Sequence, residues 1–237
     1  MLSSAYSKGA VNGSQGYFGD DYVRGLTKQP QEWRNGEFAF LISKAKECGG
    51  PVLDLATGGG RIPIILAEAG FECVGFDASF PMLEFAKRAV KKLPVNIRKK
   101  ISFVQGDMCG FDFSERFPLI INAFQSFWYN FSHAALEHPD YKMALKNNDS
   151  ENQIDKIIER VMCSQAEGCI RSIMRSLRSN GNFIIDAPDH SGQIEEYAWW
   201  KNMAEKYGFS MVISDYFFRE IGTDGHSYPY VLTGKKL

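Results

Sequence analysis

Cysteine is scarce and scattered in this sequence. Cys48, Cys73, Cys109, Cys163 and Cys169 are odd in number and never fall in a C-x-x-C spacing. That argues against a disulfide framework and against a zinc site, and it fits a reducing compartment. No apolar run is long enough to span a bilayer, and the small, polar stretch from Met1 to Gln15 holds no apolar signal core. The expectation is a cytoplasmic protein with no membrane partner. Charge of one sign is missing too: Lys and Arg number 27 against 28 Asp and Glu, a formal net charge of −1. No global field therefore favours nucleic acid. The one dense basic cluster, Lys87, Arg88, Lys91, Lys92, Arg98, Lys99 and Lys100, reads as a solvated helix face and its following turn.

Repeats and Pro- or Gly-rich linkers are also absent, so the 237 residues read as a single domain, 1–237. From residue 50 onwards short apolar runs alternate with helical periods, the βαβα pattern of a mostly parallel sheet. Pro51 to Ala56 reads as a first strand, Gly60 to Gly70 as a helix with Pro63 in its first turn, and Phe71 to Asp77 as a second strand. Ser79 and Pro81 open a helix whose apolar residues are Met82, Phe85, Ala86 and Ala89. Ile101 to Gln105 and Leu119 to Phe124 follow as strands.

A helical stripe then runs through Ile154, Ile157, Ile158, Val161 and Met162, and resumes after Gly168 at Cys169, Ile170, Ile173, Met174 and Leu177. Ser179-Asn180-Gly181 turns into a fifth strand, Asn182 to Ala187. A helix carrying Ile194, Tyr197, Trp200, Ala204 and Tyr207 ends at Gly208, and the runs Met211 to Phe218 and Tyr228 to Thr233 form an antiparallel hairpin. Two stretches fit no regular element well: Gly16 to Arg34, read as two short helices around Pro30 within an N-terminal lid or helical segment 1–49, and the polar insertion Phe131 to Asn152 in the core 50–237. Both are expected to serve as lids.

The chemistry collects at strand ends. Asp54-Leu-Ala-Thr-Gly58-Gly59-Gly60-Arg61 turns from the first strand into a helix, and its glycines let a ligand approach the backbone near free N–H groups. Asp77 ends the second strand. An ionised carboxylate there can accept from both hydroxyls of a ribose, or it can cap the next helix, a task Ser79 can equally perform. Gln105-Gly106-Asp107-Met108 ends the third strand, where an acid can accept from an adenine amino group.

These residues resemble the motifs of class I methyltransferases. VLDLATGGGR is similar to the family's first motif, GFDASFPMLEFAKRA to its second and ISFVQGDMCGFDF to its third, while LRSNGNFIIDAP resembles the strand-five motif. The resemblance covers roughly residues 50–188. It implies an α/β fold: a seven-stranded, mostly parallel sheet with an antiparallel terminal hairpin and helices on both faces, binding S-adenosyl-L-methionine. Carried over by position, it implies that Ala56, Gly58 and Gly60 line the methionine tail, with Asp54 also among the cofactor-binding residues. Asp77 would hold the ribose, Ala78 and Met82 flank the adenine, Asp107 and Met108 read the adenine edge, and Ala123 face the methionine portion. Two departures stand out. Ala56 replaces the first glycine, with no expected loss of binding, and Asn180 replaces a proline.

On the acceptor side, Asn122-Ala-Phe-Gln-Ser-Phe-Trp128-Tyr129 is not the Asn/Asp-Pro-Pro-Tyr tetrapeptide of nucleobase and glutamine methyltransferases. The expected acceptor is a nitrogen or oxygen of a small molecule. Tyr22, Trp33, Trp128 and Tyr129 are candidate walls of an aromatic pocket, each with a plain packing role as the alternative. His190 and His133, after strands five and four, are candidate general bases; His138 and His226 read as loop and hairpin residues. No metal is expected. Two other readings stay open: a non-catalytic S-adenosylmethionine-binding partner protein, and an NAD(P)-dependent oxidoreductase. Against the latter, Pro63 stands where the third glycine of the dinucleotide fingerprint belongs.

Overall fold

The computed structural model describes residues 31–114, 116–123, 131, 134–187, 202–203, 205–214 and 230–236. Seven strands form one sheet: β1 (Val52–Leu55), β2 (Cys73–Asp77), β3 (Ile101–Gln105), β4 (Phe117–Asn122), β5 (Leu177–Ala187), β6 (Phe209–Ser214) and β7 (Tyr230–Lys236). Their order is β3-β2-β1-β4-β5-β7-β6. Pairings among β1 to β5 are parallel, whereas β7 is antiparallel to both β5 and β6. The terminal hairpin therefore inserts its second strand into the sheet, and β7 alone is reversed. The order of connection changes direction between β1 and β4, which opens a crevice at their carboxyl ends.

Helices cover both faces. On one side α1 (Gln31–Cys48) and α2 (Arg61–Glu68) pack Leu41, Ala45, Ile62 and Leu66 against Val52, Leu119 and Ile121. On the other, Leu53, Leu55, Ile120, Phe183 and Ile185 meet Cys169, Ile170 and Ile173 of the long helix α6 (Glu151–Ser176). Every residue of β1 is buried, as expected of a central strand covered on both faces. The edge strand β3 is half exposed.

Helix α3 (Phe80–Lys91) starts where Ser79 caps it, the Ser79 Oγ accepting from Met82 N at 3.4 Å, and it buries Met82, Leu83, Ala86 and Val90. Its last turn holds Arg88 and Lys91, favourable to the helix dipole. The short α4 (Val95–Arg98) follows, so the basic cluster does occupy a helix end and the turn beyond it.

Several elements differ from the sequence reading. Residues 31–34, read as part of a short helix beyond Pro30, belong to the long helix α1. The polar insertion holds a regular element, α5 (Pro139–Lys146), with His138 as its N-cap: its Nδ1 accepts from Asp140 N at 3.2 Å. Polarity hid this helix because it buries only Ala144. The stripe broken at Gly168 is one continuous helix. Gly168 is there for a close approach, since a Cβ on it would stand 2.7 Å from the Cys109 carbonyl. Ser172 Oγ accepts from Phe111 N and Ser176 Oγ from Phe113 N, so three small residues of α6 seat the loop that follows β3.

Strand β4 starts and ends two residues earlier than expected. Strand β5 already pairs at Leu177 with Phe117, then departs around Asn180 (φ 60) and resumes at Asn182 opposite Leu119. The helix expected over 194–207 lies mostly outside the described residues, as do 1–30.

Candidate active site

Asp54, Asp77 and Asp107 stand on or just beyond β1, β2 and β3 at the carboxyl edge of the sheet. The glycine loop joins them. Asp77 Oδ2 accepts from Gly58 N at 2.8 Å and its Oδ1 from Ser79 N at 2.8 Å. Two backbone amides thus aim one carboxylate and leave each oxygen with further capacity to accept. The two readings of Asp77, ligand and cap, are compatible: Ser79 closes the helix, and Asp77 holds the loop in register. Asp107 Oδ1 accepts from Cys109 N at 2.8 Å, and Gln105 Nε2 donates to the Ala78 carbonyl at 3.1 Å. The first bond turns the loop after β3, and the second ties the ends of β2 and β3 together.

The loop between β1 and α2 is strongly curved. Gly58 (φ 53) and Gly60 (φ 78) adopt left-handed backbone, and so does Ala56 (φ 55). Ala56 therefore costs more than its small size suggested, because an L-residue in that region is disfavoured by about 1–2 kcal/mol. A Cβ on Gly58 would meet only the Met82 methyl, at 3.4 Å; one on Gly60 would press on Ala86 and on the Phe103 ring, both at 3.0 Å. Gly58 thus faces open space above Met82, while Gly60 serves helix packing.

Burial governs the electrostatics. Asp54 is 1% exposed. Desolvation pushes its carboxyl up to about 7, with Asp77 adding to the rise and the hydrogen bond from Thr57 opposing it. Burial also raises Asp77, against the pull of the Ser79 and Gly58 amides. The Cys109 and Cys169 thiols are pushed well up by burial, which leaves them poor nucleophiles.

Sequence reading passed over two polar residues. Thr57 Oγ1 donates to Asp54 Oδ2 at 2.5 Å. Asn122, buried at the end of β4, donates through Nδ2 to the Leu55 carbonyl at 3.0 Å, and its Oδ1 meets no described hydrogen-bond partner. Thr57 lay in the quoted motif and was legible as a hydroxyl three residues after an acid. In sequence Asn122 reads only as the start of a run that fails the Asn/Asp-Pro-Pro-Tyr pattern; its bond to the Leu55 carbonyl emerges once β4 is set beside β1.

Of the other expected residues, Met82 and Met108 are buried, the latter with its sulfur 3.9 Å from Asn122 Nδ2. Ala123 packs in the cluster beneath α1. Tyr22, Trp128, Tyr129, His133 and His190 lie outside the described residues, and Trp33 is placed only as backbone of α1. Among the described residues no helix is long and apolar enough to cross a membrane.

A doubly covered sheet of order 3-2-1-4-5-7-6, with a glycine loop after β1 and acids at three neighbouring strand ends, defines the class I methyltransferase fold, whose cofactor is S-adenosylmethionine. Residues 52–147 match the family model described as a methyltransferase domain. A Bacillus subtilis (strain 168) protein named as a methyltransferase, YqeM, is 47% identical over 66 residues, which are 27% of this chain and 25% of that protein. The chain thus matches about a quarter of that relative's length.

Among solved structures, the CcbJ methyltransferase from Streptomyces caelestis superposes with a TM-score of 0.60 at 18% identity, covering 85% of this chain and 89% of that one. The glycopeptide N-methyltransferase MtfA gives a TM-score of 0.57 at 15% identity, covering 84% and 94%. MtfA has also been solved with S-adenosyl-L-methionine. At these identities the likeness speaks for the fold.

Proposed function

We propose that the chain, as one domain over residues 1–237, transfers a methyl group from S-adenosylmethionine to a nitrogen or oxygen of a small-molecule acceptor. The observation that carries this reading is the Asp77 carboxylate at the carboxyl end of β2, fixed beside the glycine loop by the Gly58 and Ser79 amides. The residues present suit the cofactor. Carboxylates accept from ribose hydroxyls and from an adenine amine; Gly58 leaves room that a Cβ would fill; the orphaned Asn122 Oδ1 is an acceptor awaiting a donor. That MtfA acts on nitrogen favours an N-acceptor.

Bound there, the cofactor supplies an electrophilic methyl on a sulfonium. The protein's part is to orient it and to exclude water. Asp77 holds the ribose, Ala78 and Met82 flank the adenine, and Asp107 and Met108 read its edge. Ala56, Gly58 and Gly60 line the methionine tail, Ala123 faces the methionine portion, and Asp54 serves the cofactor from behind the glycine loop. Tyr22, Trp33, Trp128 and Tyr129 wall the acceptor, and His190 or His133 takes its proton where one must leave.

The test is incubation of the purified chain with methyl-labelled cofactor and a metabolite library, read by mass spectrometry. A labelled small molecule is expected. Calorimetric binding of NAD(P) but not of S-adenosylmethionine would return the reading to an oxidoreductase, and cofactor binding with labelled protein or nucleic acid as the sole product would refute the acceptor class. His190→Ala should lower kcat by roughly 10²–10⁴ with cofactor binding intact; unchanged kcat in both His190→Ala and His133→Ala removes both as bases.

A further inference from the structure

Asp54 is out of character with its surroundings. It stands inside the central strand, between β2 and β4, among Val52, Leu53 and Leu55, and it is wholly buried. An apolar residue would pack there with no desolvation cost, whereas a carboxylate destabilises the strand whenever it is charged. Thr57 offsets part of that cost. Its hydroxyl donates to Asp54 Oδ2 at 2.5 Å, the short separation of a charge-assisted bond.

Thr57 is itself held from two sides. Its N–H donates to the Phe76 carbonyl at 3.1 Å. Its Oγ1 occupies space left by Gly75, where a Cβ would lie 2.9 Å away. The other charged or titratable groups that act on Asp54 among the described residues are Asp77 and Cys73 on β2 and Arg61 at the start of α2. Asp54, Asp77 and Thr57 thus form a small acidic cluster directly behind the glycine loop.

The cofactor and its product differ at one atom. The sulfonium cofactor carries one more positive charge than the thioether left after methyl transfer. A fixed negative charge in a poorly screened interior acts on that difference. We propose that Thr57 is a positioning residue that holds Asp54 as an oriented carboxylate behind the glycine loop, and that this charge makes the site prefer the cationic cofactor to its neutral product. The inference rests on the methyl-transfer reading above and adds to it a determinant of product release.

The sign follows from burial. Burial lifts the Asp54 carboxyl to about 7, and the Thr57 hydrogen bond works against that lift. Preference for the cofactor is therefore full above neutral pH and fades as Asp54 takes up its proton. Removing the hydroxyl moves the change to higher pH.

The experiment is calorimetric titration of the full chain with S-adenosylmethionine and S-adenosylhomocysteine between pH 5.5 and 9.5. In the wild type the ratio of product Kd to cofactor Kd should rise about tenfold with a midpoint near 7. In Thr57→Val the midpoint should move up by about one to two pH units, and Thr57→Ser should bring it back, which a merely structural role would not do. Asp54→Asn should hold the ratio at its low-pH value. A ratio independent of pH in the wild type overturns the inference. So does a rise that persists in Asp54→Asn, because it would then belong to Asp77 or to the ligand's own groups. If Thr57→Val does not fold, the wild type and Asp54→Asn decide the matter. Failure of the wild type to bind either ligand refutes the methyltransferase reading instead.

Discussion

Asp54→Asn should make the free protein more stable, and by an amount that depends on pH. The Asp54 carboxyl titrates at an ordinary 3.8 when the chain is unfolded and at about 7 when folded. Between those values the folded state binds the extra proton, so stability falls as pH rises through the window and levels off above 7. Roughly three units at about 1.4 kcal/mol each give a ceiling of about 4 kcal/mol lost by pH 8. Asparagine has nearly the same shape, still accepts from the Thr57 hydroxyl and carries no charge, so it avoids this loss.

Urea unfolding of both proteins at pH 4.5, 6, 7 and 8 measures the difference. With a denaturant slope of about 2 kcal/mol/M, the midpoint should rise by up to about 2 M at pH 8 and by only about 0.5 M at pH 4.5. A gap of the same size at every pH would refute the assignment, because it would come from packing or hydrogen bonding and not from proton linkage. The same variant should lose preference for the cofactor, which would explain why a destabilising acid is kept at the centre of the sheet.

Other substitutions probe the remaining geometry. Asp77→Ala should leave a folded chain whose affinity for S-adenosylmethionine falls by about 1.5–3 kcal/mol, the range for lost charged hydrogen bonds, by calorimetry; unchanged binding would move the ribose elsewhere. Ala56→Gly should stabilise the protein by about 0.5–1 kcal/mol, since relief of left-handed strain outweighs glycine's added entropy in the unfolded chain, and the melting temperature should rise. Gly168→Ala should cost about 1–3 kcal/mol, because its Cβ would press on the Cys109 carbonyl and push the loop behind Asp107 away from α6. Equal stability there would mean that the loop yields freely.

The sequence by itself determined the alternation of strands and helices from residue 50, the four early elements to within a few residues, and the positions of the acids and glycines. These are local matters: apolar period, a Ser79 cap, Pro81 within the first turn, a glycine loop after a buried run. It could not show α5, whose eight residues bury only Ala144 and so carry too little apolar period. Nor could it show that α6 runs unbroken through Gly168. A glycine in a helix reads as a break until a neighbouring carbonyl is seen to need its missing side chain.

The site divides in the same way. Asp77 and Asp107 were legible because their chemistry lies in their type and their place at a strand end. The left-handed backbone at Ala56, the burial that moves Asp54 towards neutrality and the orphaned oxygen of Asn122 were decided only by the tertiary structure. Each depends on what β1 meets across the sheet, and strand pairing between residues 52 and 119, or 54 and 75, is a contact that sequence proximity does not encode.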